Sequence, residues 1–127
     1  MKVVKYDKFQ LLLGDNSRSL FDYFQVEELH GLSLTECLNY PEPLKPGTEG
    51  VYIWGMANLS PIPDDLPYVF LNMHRMHGDY RDITTIMHET VHMGLLIYNY
   101  DLDNEEEIVS WAEYWANIIY SEHLSKL

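Results

Sequence analysis

The run Met87-His88-Glu89-Thr90-Val91-His92-Met93 sets two imidazoles four residues apart, with a carboxylate directly after the first. On an α-helix, residues four apart stand on one face about one turn from each other, so both imidazoles can reach one ion. Tetrahedral zinc accepts such a pair and takes a third protein ligand when it keeps one position for water. Glu89 points to the side of the pair, where it can take a proton from that water and hand it to a leaving amine. The chemistry of this spacing is metal-assisted hydrolysis. The plain alternative is an ordinary solvated helix face. Against it stand Ile83, Ile86, Met87, Val91, Met93, Leu95, Leu96 and Ile97, which spread apolar groups around nearly the whole helix and predict that it is buried. Two imidazoles and a carboxylate in a buried helix need a charged partner, and a metal ion is one.

For a third ligand the chain offers Glu105, Glu106, Glu107, Glu113 and Glu122 downstream, with His123 as an outlying donor. A third histidine close behind the pair is excluded. The pattern H-E-x-x-H-x-x-G-x-x-H would need glycine and histidine where Leu95 and Tyr98 stand. Glu106, Ser110, Glu113 and Asn117 are spaced four, three and four, so on a helix they form one polar seam. Ala112 and Ala116 beside that seam would let another helix approach closely. The same seam also fits a solvated face, and periodicity alone leaves Glu106 and Glu113 both open. The loop Asp101-Leu102-Asp103-Asn104 begins like a calcium loop, but Glu106 occupies the position where the tight turn requires glycine, so it reads as helix-capping surface.

The elements that would position these groups read as follows. Phe9 to Leu13 is a short apolar run closed by Gly14-Asp15-Asn16, a strand or a helical turn. Ser17 or Ser19 can cap a helix carrying Leu20, Phe21 and Phe24 that stops near Gly31. Ser33-Leu34-Thr35-Glu36 is a capping box that predicts a short helix ending before Pro41, and a loop rich in proline and glycine follows to Gly50. Val51 to Trp54 and Tyr68 to Leu71 have strand composition. A loop from His74 to Arg81 leads to a helix from about Ile83 to Tyr98 that Asp82 can cap, and an acidic loop precedes a last helix from about Glu105 to Leu124. Mixed elements followed by helices give an α+β fold class.

At 127 residues the chain fits one domain, and 46% apolar residues with ten Tyr and three Trp can close a core. Twenty Asp and Glu against eight Lys and Arg give a formal charge of −12. That excludes holding nucleic acid by phosphate neutralisation, and it suits either simple solubility or a basic peptide or protein partner. Cys37 is the sole cysteine, so neither an internal disulfide nor a cysteine-rich zinc site is available. Charges at Lys2, Lys5, Asp7 and Lys8 interrupt any signal-peptide core, and no apolar run is long enough to span a bilayer. A cytoplasmic setting is the expectation.

The run Glu113-Tyr114-Trp115-Ala116-Asn117 resembles the E-x-x-A-[DN] helix motif of gluzincin metallopeptidases. The segment from about Tyr68 to Tyr120 is similar to the catalytic core of the smallest gluzincins and, more loosely, to the ImmA/IrrE-type metallopeptidases of phage and mobile elements. Residues 1 to 50 lie outside that resemblance. It implies a zincin-like domain with a small sheet, the His-Glu helix, and a glutamate helix packed across it. It implies Glu113 as the third zinc ligand and Asn117 as the group that hydrogen-bonds a zinc-binding histidine from behind, fixing its tautomer. Many relatives have aspartate at the position of Asn117; the amide still allows the hydrogen bond. The resemblance also implies that Tyr68 to Met73 is the strand above the cleft, along which an extended peptide can pair.

Together these readings predict a cytoplasmic zinc-dependent endopeptidase acting on an extended protein segment, for which the acidic charge suits a basic one, with Glu89 as general base and zinc held by His88, His92 and Glu113. For the developing negative charge on the carbonyl oxygen, His74, His77, Tyr80, Arg81, Tyr98 and His123 are candidates. Two rivals stand beside this reading. One is a zincin-fold module that binds zinc or a protein and cleaves nothing; the other is a metal-free helical interaction protein.

Overall fold

The computed structural model describes residues 1–35 and 54–125. In chain order it contains β1 (Lys2–Lys5), β2 (Gln10–Gly14), α1 (Ser17–Phe24), β3 (Glu28–Leu29), β4 (Leu32–Ser33), β5 (Gly55–Asn58), β6 (Tyr68–Asn72), α2 (Asp82–Ile97) and α3 (Glu105–Ile119). A π-helical turn, Tyr120–Leu124, continues α3. This is a mixed α+β arrangement with a small sheet and C-terminal helices.

The main sheet has the order β1-β2-β6-β5. β1 is antiparallel to β2, β2 runs parallel to β6, and β5 is antiparallel to β6. The two inner strands, QLLLG and YVFLN, are buried at every position. That is why they read as continuous apolar runs instead of alternating ones. The pleat sends their side chains to opposite faces. Leu11, Leu13, Val69 and Leu71 pack with Ile86 and Met93 of α2 and with Ala116 and Ile119 of α3. Leu12, Tyr68 and Phe70 face the other way and pack with Leu20, Phe21 and Phe24 of α1. The sheet thus lies between α1 on one side and α2 with α3 on the other, and its two inner strands carry the core.

Phe9–Leu13, open between strand and helical turn from sequence, supplies most of β2. The first helix is capped by Asn16 instead of Ser17 or Ser19: its side chain accepts the Ser19 N–H at 3.0 Å, and Ser19 Oγ accepts the Asn16 N–H at 3.3 Å. The helix ends at Phe24, short of Gly31, because Gln25 turns left-handed (φ 56°) and a tiny β3–β4 hairpin follows. His30 (φ 50°) and Gly31 (φ 83°) form its two-residue turn, both in the left-handed region that such turns require. Asp82 is the first residue of α2, not its cap. Its buried carboxylate accepts the backbone N–H groups of His77 and Gly78, both at 2.7 Å, and so clamps the preceding loop to the helix start. The expected helix after Ser33, the loop Pro41–Gly50 and the strand Val51–Trp54 lie outside the described residues, apart from their ends; a strand begins directly after, at Gly55. Among the described residues no helix is long and apolar enough to cross a membrane.

Candidate metal centre

α2 presents three different faces. Ile86, Thr90 and Met93 point into the core. Gly94 meets α3: a Cβ there would lie 3.3 Å from Ile108 Cγ2 and from Trp111 Cε3, so the absence of a side chain lets the two helices close. The third face is open. His88 and His92 are exposed, and Ile83 is 42% exposed. Apolar residues around nearly the whole helix predicted that it is buried; among the described residues the sheet and α3 cover it, and His88 and His92 stay exposed.

On that open face His88 Nε2 and His92 Nε2 stand 3.1 Å apart, their rings edge to face with centroids at 4.6 Å. Two nitrogens bound to one tetrahedral zinc at ordinary Zn–N lengths lie about 3.3 Å apart, so the pair fits two positions of such an ion. Partial burial, followed by the neighbouring His88, pulls the His92 pKa down, toward the neutral imidazole that binds metal. Glu89 lies beside the pair, in the gap between α2 and β5. It is 6% exposed, and burial alone pushes its carboxyl up to about 7. One of its oxygens lies 3.9 Å from His88 Nε2. Gly55 makes this position possible. A Cβ on residue 55 would sit 2.8 Å from Glu89 Cγ and 2.9 Å from the Phe70 carbonyl oxygen. Below, the buried Tyr68 hydroxyl donates to Met56 Sδ at 3.0 Å, and its pKa is raised by burial and then by the charge of Glu89.

The resulting cleft, about 350 Å³, lies between Gly55–Asn58 of β5 and His88, Glu89 and His92 of α2, with Tyr100 at its side. Among the described residues β5, not β6, is the edge strand. Tyr68–Asn72 is paired on both sides, by β2 and by β5, so no peptide can add to it. The strand above the cleft is Gly55–Asn58, an element that the sequence places poorly because Gly-Met-Ala-Asn has little strand character.

The structure brings His88, His92 and Glu89 together. It places Glu113 and Asn117 elsewhere, on the exposed face of α3 with Glu106 and Ser110. α3 meets α2 at Gly94, which lies about 120° and 160° round the helix from His88 and His92. Among the described residues no His, Cys, Asp or Glu completes the pair into a group of three that could hold a metal ion. None of the six candidates for steadying negative charge lines the cleft. Arg81 is held by Asp79 at 2.8 Å, the His77 N–H is bound to Asp82, and His123 Nε2 is bonded to the Tyr6 hydroxyl at 3.1 Å. The residue missed from sequence is Tyr100. Asn99 (φ 55°) and Tyr100 (φ 56°) both turn left-handed after α2, and the Tyr100 N–H closes on the Leu95 carbonyl at 2.7 Å. An asparagine just past an apolar helix is a stop signal, but it does not say where the next side chain goes.

No protein-family model, curated protein or solved structure matches the chain.

Proposed function

We propose that the chain is a zinc-dependent metallo-endopeptidase of zincin-like fold, hydrolysing an extended protein segment. The observation that carries this reading is the convergence of the His88 and His92 Nε2 atoms at 3.1 Å beside a buried carboxylate and beneath an edge strand. Zinc held there supplies a Lewis acid for the carbonyl oxygen and a water of lowered pKa. The chain's own groups do the rest. β5, the edge strand among the described residues, offers its backbone to an extended peptide, in the manner of an added strand. Glu89, with a pKa near neutrality, takes the proton of the attacking water and returns it to the leaving amine. Tyr100, at the side of the cleft, can donate its phenol to the developing oxyanion. The gluzincin resemblance assigns the third ligand to Glu113 with Asn117 behind it; for that, α3 has to turn its exposed seam toward the pair.

The test is zinc stoichiometry after purification without added metal, combined with cleavage of a peptide library by wild type and Glu89→Gln. One zinc per chain and cleavage confined to the wild type is the expected result. Equal cleavage by both proteins points to a contaminant or another mechanism. A second reading, a zinc-binding interaction module that cleaves nothing, is favoured by one observation: among the described residues the pair has no third charged ligand. A zinc-loaded wild type that cleaves no member of the library decides for it.

A further inference from the structure

His88 and His92 line two cavities at once, so the cleft under β5 adjoins a groove on the outer face of α2. The groove, about 610 Å³, is walled by Ile83, Thr84, Met87, Val91 and Leu95. It is wide enough for a bulky aliphatic or aromatic side chain, and apolar surface of this kind gains from being covered. The chain that carries it is acidic. From Asp82 to Ser125 the chain carries nine carboxylates and neither Lys nor Arg. Five of them, Asp101, Asp103, Glu105, Glu106 and Glu107, are exposed and follow directly on the end of α2. There Leu95 ends the groove and Tyr100 borders the cleft. At the other end of α2 the cation Arg81 is paired with Asp79.

We propose that the groove takes a large apolar side chain from a basic protein segment, which lies extended along β5 with its lysines or arginines toward the Asp101–Glu107 loop. This rests on the peptidase reading for its place in the molecule and names the substrate class, but binding needs no cleavage. The same field repels nucleic acid and acidic surfaces, leaving basic polypeptide as the complementary occupant.

The experiment uses the full chain as Glu89→Gln, with fluorescence anisotropy of three short synthetic peptides: leucine alternating with lysine, leucine with glutamate, and serine with lysine. The leucine–lysine peptide binds at least about tenfold more tightly than either of the others, the scale set by burying one large side chain. Its advantage over the serine–lysine peptide disappears in Val91→Gln, and its affinity falls with added salt as exposed charges are screened. Equal binding of the leucine–lysine and serine–lysine peptides overturns the groove, and so does a preference unchanged in Val91→Gln. Tighter binding of the leucine–glutamate peptide overturns the charge assignment. Cleavage by wild type separates the two readings. Tight leucine–lysine binding without cleavage upholds this inference and removes the peptidase. Cleavage indifferent to both leucine and lysine keeps the peptidase and removes the inference.

Discussion

His88 and His92 stand open to solvent, and that decides what their removal costs. In a buried site, losing a ligand would unsettle the fold; here the His88 side chain is 66% exposed. His88→Ala and His92→Ala are therefore expected to abolish stoichiometric zinc while shifting the stability of the metal-free protein by no more than about 0.5 kcal/mol. Metal analysis and denaturant unfolding in chelator check the two halves. Glu89 behaves oppositely because it is buried. Its pKa of about 7 in the fold exceeds the ordinary 4.5, so the folded state holds the proton more tightly than the unfolded chain. The contribution is present in full below pH 4.5 and is lost as pH rises through 7. In the metal-free protein, Glu89→Gln should remove this slope and be the more stable at pH 8, by up to about 3 kcal/mol. Parallel pH profiles of unfolding for the two proteins would refute this.

At the scale of elements, the contact between β5 and α2 is set by a missing side chain. Gly55→Ala puts a methyl against Glu89 Cγ and the Phe70 carbonyl oxygen, and the latter is backbone that cannot swing away. The expected cost is about 1–3 kcal/mol, read as a lower melting temperature, with loss of cleavage because Glu89 is displaced. An unchanged melting temperature would mean that β5 moves freely relative to β6. α3 provides the test of the ligand set. If the gluzincin assignment is right, Glu113→Ala weakens zinc binding far more than Glu106→Ala, since only Glu113 has the Ala116-Asn117 pair behind it. Equal zinc affinity in both variants leaves a centre built on two histidines and favours the binding module.

For the molecule as a whole, the proposed reading makes zinc a ligand of the folded state. Ion bound only by the folded chain adds stability that grows with free zinc, about 2.7 kcal/mol at a hundredfold excess over Kd. The melting temperature should rise with zinc and return on chelation, whereas the doubly substituted His88→Ala, His92→Ala protein should stay flat. A rise in that protein would locate the metal elsewhere. The formal charge of −12 is concentrated in Asp82–Ser125, with nine carboxylates and neither Lys nor Arg, instead of being spread evenly. Association with a basic segment should therefore weaken steeply with salt, while the fold, held by the apolar packing on both faces of β2 and β6, should not.

Sequence by itself determined the parts that depend on local pattern. The i, i+4 histidine pair and its glutamate occupy one helix because both helix periodicity and metal spacing are short-range. Likewise, Tyr68–Leu71 is a strand because an apolar β-branched and aromatic run bounded by turn residues has few alternatives. The α+β class followed from the order of such runs. Tertiary structure decided what faces what. Whether α2 is buried all round depended on how many neighbours reach it, and an apolar residue such as Ile83 or Val91 looks the same in sequence whether it meets a core or an open groove. The edge position of Gly55–Asn58 came from β2, far back in the chain, pairing with the other side of β6. The outward turn of Glu113 came from the choice of Gly94 as the crossing point of α2 and α3. Tyr100 reaches the cleft through two left-handed residues, a backbone choice that no side-chain pattern records.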